Sequence, residues 1–93
     1  MFVAVCIIDL FLPGAGSLKG KRQILKSIIE RIKARTNASV AETDAQDLWQ
    51  RAVIAVAMVS GDKALLERQI SIIRRIVEDN AEVEQVDFTV EYL

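Results

Sequence analysis

Two stretches of the chain are apolar on both alternating faces, and between and around them the apolar positions recur with helical or strand spacing. Phe2 to Leu12 is rich in Val, Ile, Leu and Phe and ends at Pro13-Gly14-Ala15-Gly16. That pattern predicts a strand followed by a loop. Ser17 is a good N-cap for a helix beginning at Leu18. Ile24, Leu25, Ile28, Ile29 and Ile32 make an i, i+4, i+8 stripe flanked by Lys26, Arg31, Lys33 and Arg35, the mark of an amphipathic helix. Asn37, tolerant of the left-handed conformation, is the expected stop. Ala38 to Asp44 reads as a short, rather polar strand, Ala45 to Gln50 as a turn, and Ala52 to Val59 as the second strongly apolar strand. Gly61 and Asp62 open another helix with Leu66, Ile70, Ile73 and Val77 on one stripe, ending at Asn80. Val83 to Leu93 closes the chain as a strand. Its alternation sets Val86, Phe88, Val90 and Tyr92 against Gln85, Asp87, Thr89 and Glu91.

The two halves echo each other. Ile-Ile-x-Arg-Ile occurs at 28–32 and 72–76, and Asn-Ala-x-Val at 37–40 and 80–83. A duplicated βαβ plan with short connections predicts an α+β, ferredoxin-like βαββαβ sandwich. Its sheet would be four-stranded and antiparallel, of order 4-1-3-2, with both helices on one face. Ninety-three residues fill a single domain, 1–93, with one core.

This topology has two consequences for function. The loop after the first strand and the hairpin joining the second and third leave the sheet at the same end. Lys19, Lys21 and Arg22 at the first helix start are therefore expected beside Glu42, Asp44, Gln46, Asp47, Trp49, Gln50 and Arg51. The second consequence concerns the face of the sheet that the helices leave open. Both faces of the two central strands are apolar, Phe2, Ala4, Cys6, Ile8 and Leu10 with Ala52, Ile54, Val56 and Met58 on one, and Val3, Val5, Ile7 and Phe11 with Val53, Ala55, Ala57 and Val59 on the other. Whichever face is left open is an apolar patch unusual on a monomer. A homodimer or higher oligomer through that face is expected; the alternative is that small alanines leave it tolerably half-exposed.

Net charge is −1, which excludes a uniformly basic nucleic-acid binder. The distribution is uneven, however. Residues 17–36 carry seven basic residues against Glu30 alone, whereas residues 78–93 carry six acidic residues and no basic one. Such polarised surfaces steer partners or favour self-association. The absence of histidine removes the commonest general base and metal ligand. Cys6, within an apolar strand, reads as a buried thiol, and a single cysteine suits a reducing cytosol. The apolar N-terminus lacks a basic leader and is broken by Asp9, so a signal peptide is not expected. No run approaches the roughly 20 apolar residues of a membrane helix.

Ser17-Leu18-Lys19-x-Lys21-Arg22, Val40-Ala41-Glu42 and Gln46-Asp47-x-Trp49-Gln50-Arg51 at this spacing resemble the bacterial YlxP-like family, domain of unknown function 503. The likeness spans essentially the whole chain. It implies a ferredoxin-like fold and a small cytoplasmic protein, often encoded beside translation and ribosome-maturation genes. A ribosome or RNA context is the corresponding expectation. Gly20 stands where relatives usually have a charged residue, and Ala45 where an aromatic or imidazole group is common. The family supplies no catalytic residues.

Lys19, Lys21, Arg22, Arg51 and Trp49 are the candidate anion- or RNA-binding residues, because first-turn N–H groups and cations suit phosphate. The bland alternative is a solvated basic helix face. Gly20 would let a ligand's backbone approach, although no GxxxxGK[ST] loop is present. Trp49, alone in a polar turn, ordinarily folds back as a lid on the core; otherwise it is an exposed anchor or stacking platform. Glu42, Asp44 and Asp47 form the hairpin rim. They could hold a hard cation, but three such carboxylates ordinarily make a solvated turn, and Arg51 is expected to pair with one of them. No metal and no cofactor is expected. Without a histidine or an activated nucleophile the expected role is not enzymatic but that of a binding module. A homo-oligomeric interaction domain is the alternative, and an acylphosphatase-like hydrolase using Arg22 a remote one.

Overall fold

A computed structural model describes all 93 residues, Met1–Leu93. The elements run β1 (Phe2–Phe11), α1 (Leu18–Arg35), β2 (Ala38–Asp44), β3 (Arg51–Ser60), α2 (Lys63–Glu78) and β4 (Glu84–Tyr92). The sheet is antiparallel with order β2-β3-β1-β4, the expected order read from its other edge.

The strand register sorts the side chains into two faces. On the helix-covered face Ala4, Cys6, Ile8 and Leu10 of β1 oppose Met58, Val56, Ile54 and Ala52 of β3, and all eight are buried. Leu25, Ile28 and Ile32 of α1 and Leu66, Ile70, Ile73, Ile76 and Val77 of α2 close the core from above. Burying one such aliphatic side chain is worth about 1.5–3 kcal/mol, so this layer is the main source of stability. On the open face Val3, Val5, Ile7 and Phe11 run beside Val59, Ala57, Ala55 and Val53. Ile7 is 40% exposed and Val59 49%.

Helix caps follow local chemistry. Ser17 Oγ accepts from the Gly20 amide at 3.0 Å, and Asp62 Oδ1 accepts from the Ala64 amide at 2.9 Å. The end of α1 differs from expectation. Thr36, extended, caps it by donating its hydroxyl to the Ile32 carbonyl at 2.7 Å, and Asn37 is not left-handed. The left-handed residue is Ala45, φ 57°, in the β2–β3 hairpin.

Two bulges reshape the edge strands. In β4 the pairing jumps from Asp9↔Asp87 to Leu10↔Gln85, leaving Val86 unpaired and 63% exposed. Val86 therefore does not join Phe88 and Val90 against the core, as strict alternation would have it. In β2 the jump from Glu42↔Ile54 to Asp44↔Val53 leaves Thr43 unpaired. The bulge matters for the site, because Glu42 keeps the parity that faces the helices while Asp44 is paired with a residue of the open face.

No helix is long and apolar enough to cross a membrane.

Candidate binding site at the hairpin rim

The β1–α1 loop and the β2–β3 hairpin meet, as the topology requires. The Leu12 amide donates to the Gln50 carbonyl at 2.9 Å, and Gln50 Nε2 donates to the Pro13 carbonyl at 3.1 Å. Beneath them lies Lys21, which is fully buried. Its Nζ donates to the carbonyls of Ala45 at 2.9 Å and Arg51 at 3.0 Å, with Gln46 O at 3.4 Å. It also stands 2.8 Å from Glu42 Oε2. That carboxylate oxygen is buried and has no well-aligned hydrogen bond, so its contact with Lys21 is charge attraction off the ideal direction. The three donors of the ammonium are thus taken up by three hairpin carbonyls, with Glu42 as the counter-charge.

Lys21 is consequently a structural tie and does not stand among the exposed cations. Burial of α1 falls on residues 21, 25, 28 and 32, so Lys21 is the first position of the apolar stripe continued one turn backward. Glu42 likewise continues the inward parity of Ala38 and Val40. A lone base on an inward helix position and a lone acid on an inward strand position are the two signals in the sequence that could have paired them.

Arg51 pairs across the sheet instead of within the hairpin. Its Nε and Nη2 bond Asp9 Oδ1 and Oδ2 at 3.2 and 3.0 Å, a two-pronged contact on the open face. The hydrogen bond and charge of Asp9 raise the guanidinium pKa further, so Arg51 remains a cation. The expectation that it joins Glu42, Asp44 or Asp47 fails for a reason of register. Phe11↔Arg51 and Asp9↔Val53 are paired, which makes Asp9 the diagonal neighbour of Arg51.

The three rim carboxylates do not converge. Glu42 turns inward to Lys21, Asp44 Oδ1 accepts from the Ala45 amide at 2.8 Å, and Asp47 faces solvent. No group of three or more Asp, Glu, Cys or His residues is placed to hold a metal ion.

Trp49 does not fold back. It is 54% exposed at the hairpin tip, next to the half-exposed Leu48. The core beneath the rim is already closed by Leu12, Ala15 and the methylene stem of Lys21, all buried. Lys19 is exposed on the adjoining helix start, and Arg22 stands beside it there, also exposed. Gly20 does not open space for a ligand. Its amide is spent on Ser17 Oγ, and a Cβ there would lie 3.3 Å from that same oxygen. Its smallness protects the cap. Cys6 is buried in the core; desolvation pushes its thiol up, against a weaker downward pull from the Arg74 charge.

The rim is therefore a rigid platform that presents one indole and two free cations. Comparisons with known proteins agree on the framework. Over its full length the chain is similar to the de novo designed protein Foldit4, with TM-score 0.57, 21% identity and 97% of that chain covered. It is also similar to a de novo designed protein with ferredoxin fold, with TM-score 0.50, 17% identity and 83% of that chain covered. At these identities the likeness concerns the fold alone. Among natural proteins it is 35% identical over 71 residues to "Uncharacterized protein YlxP" of Bacillus subtilis (strain 168), covering 76% of this chain and 77% of that one. The family described as "Protein of unknown function (DUF503)" matches residues 3–90, and the chain belongs to that family.

Proposed function

We propose that this protein is a non-catalytic binding module that takes RNA through its phosphate backbone at the hairpin rim, in a cytoplasmic translation or ribosome setting. The translation setting rests on the family resemblance. The observation that carries the reading is Trp49, a large indole held 54% exposed on a hairpin pinned from below by a buried lysine. Exposing an indole on a rigid support costs little ordering entropy on binding and offers a face for an unpaired base. Lys19 and Arg22 supply the phosphate contacts. Lys21 and Arg51, engaged with the hairpin and with Asp9, act as supports.

Several features support a non-catalytic role. The chain has no histidine, and its one thiol is buried and held in the neutral form. An acylphosphatase-like pairing of Arg22 with an asparagine meets a distance problem, since Asn37 precedes the end of β2 that pairs with Met58, opposite the hairpin.

The test is anisotropy of a labelled oligouridylate across a salt series, with Lys19→Gln/Arg22→Gln and Trp49→Ala variants. Removing two phosphate contacts lowers the salt slope by about 1.4, at about 0.7 per contact for a single strand. Unchanged affinity and slope in the double variant would sink the reading.

A second reading is a homo-oligomeric interaction domain with no nucleic-acid role, favoured by the uncovered apolar face of β1 and β3. Light scattering at micromolar concentration decides it. A dimer that Ile7→Lys converts to monomer supports it, and a monomeric wild type refutes it. Dimerisation and RNA binding are compatible, because a dimer through that face leaves both rims free.

A further inference from the structure

The two edges of the sheet are finished differently. At the β4 edge two of the cations of α2 are spent on rings. Arg74 lies 4.1 Å above the Phe88 ring and Lys63 5.2 Å from that of Tyr92. Acidic side chains and the Val86 bulge blunt the same edge. The β2 edge is bulged too, at Thr43, but only at its hairpin end; Ala38 to Glu42 keep a regular register and no cation stacks on a ring there. A groove of about 340 Å³ runs between α1 and β2, floored by Leu25 and Ile29 and flanked by Arg22, Lys26 and Lys33. Two acids also reach it. Glu42 is neutralised by Lys21, and Glu30 makes only a loose 3.9 Å contact with Lys26 between two well-exposed side chains. The groove thus keeps an excess of positive charge over an apolar floor, beside a strand whose outer backbone groups have no partner strand.

We propose that the β2 edge and this groove take an extended acidic segment of a partner protein as a fifth strand. An added strand pairs its backbone with β2 and sends every second side chain toward the helix layer. Those side chains recur at about 6.7 Å, while Arg22 and Lys26 are separated by about 6 Å along α1, and Lys33 lies about 10 Å beyond Lys26. Acids at successive inward positions meet Arg22 and Lys26, an apolar residue covers Ile29, and a further acid reaches Lys33. Charge complementarity chooses the occupant: a neutral strand would leave Arg22 and Lys33 unpaired and Lys26 with only its loose contact to Glu30, and an RNA strand would find an apolar floor without an aromatic to stack on. This surface adjoins the Trp49 rim and shares Arg22 and the inward-turned Glu42 with it.

The probe is a fluorescein-labelled threonine nonapeptide carrying glutamate, glutamate, valine and glutamate at its second, fourth, sixth and eighth positions. Saturable binding is expected. It weakens at least about tenfold in the Lys26→Glu/Lys33→Glu variant and with glutamine in place of glutamate. Both lysines are exposed, so the variant keeps its circular dichroism and melting temperature. N-methylation of alternate peptide amides separates strand pairing from loose charge attraction, because methylating one parity abolishes binding and methylating the other does not. Lys19→Gln and Trp49→Ala leave the peptide affinity unchanged, whatever they do to RNA. The proposal is overturned if the peptide does not saturate by millimolar concentration, or if both methylated parities bind alike. It is equally overturned if oligouridylate, and not the peptide, is what loses affinity when Lys26 and Lys33 are reversed.

Discussion

Lys21 Nζ stands 2.8 Å from Glu42 Oε2, with the lysine side chain wholly out of solvent, and the pair joins the first turn of α1 to the inward face of β2. A buried pair is weak support for stability in itself, but removing one member strands the other. Lys21→Met orphans a carboxylate and the carbonyls of Ala45 and Arg51 together. The expected loss is about 3 kcal/mol, or a fall in Tm on the order of 10 °C or more. Adding Glu42→Leu recovers part of it, because the stranded charge is then gone. Urea unfolding of the single and double variants measures both effects. A Lys21→Met protein within about 1 kcal/mol of wild type would refute the tie.

Ala45 is left-handed, with φ 57°, a conformation that costs a residue with a Cβ about 1 kcal/mol and glycine almost nothing. Its carbonyl is one of the three that accept from Lys21, at 2.9 Å, so the strain is held by the tie. Ala45→Gly is expected to raise stability by about 0.5–1 kcal/mol, and Ala45→Val to lower it by more than that. Thermal unfolding in one buffer orders the three proteins, and a destabilised glycine variant would contradict the assignment.

The fold was legible because its signals are redundant. Period two in the strands, the 24/25/28/29/32 and 66/70/73/77 stripes, and capping at Ser17 and Asp62 all point to one architecture. The site was legible only as a neighbourhood. Topology put the first turn of α1 beside the hairpin, but three facts depended on things that period and propensity do not encode. Charge groups Lys21 with Lys19 and Arg22, whereas its helical position belongs to the stripe of Leu25 and Ile28. Nearness in sequence offers Arg51 a hairpin acid; the register supplies Asp9, forty-two residues away. The bulges at Thr43 and Val86 each shift the parity of an edge strand, and one unpaired residue leaves no mark on an alternating pattern.

Cys6 supplies a pH dependence whose sign is fixed by burial. Its thiol is raised in the folded protein, chiefly by desolvation, so the folded state holds its proton to higher pH than the unfolded chain does. The contribution is complete below the unfolded thiol value of about 8.5 and is lost as pH rises through the folded one. Wild type should therefore lose stability more steeply above about pH 8.5 than Cys6→Ala, and the native thiol should react slowly with maleimide. Urea midpoints across the alkaline range for the two proteins give the comparison; parallel curves would contradict it.

Trp49 gives a direct reading of the rim. An indole 54% exposed should emit near the wavelength of indole in water and be quenched readily by iodide. Trp49→Ala should lower stability by about 1–2 kcal/mol, less than the loss of a core aromatic, since about half of the indole is buried. The hairpin that carries it is held by Lys21 at the Ala45 and Arg51 carbonyls, so the steady-state anisotropy of the indole should be that of a fixed side chain. Lys21→Met, in buffer where it remains folded, should lower that anisotropy without shifting the emission, because the support loosens while exposure is unchanged. Blue-shifted emission protected from iodide in the wild type would mean that the indole lies over the core after all. The rim would then have no aromatic to offer a base, and the RNA reading would lose its main support.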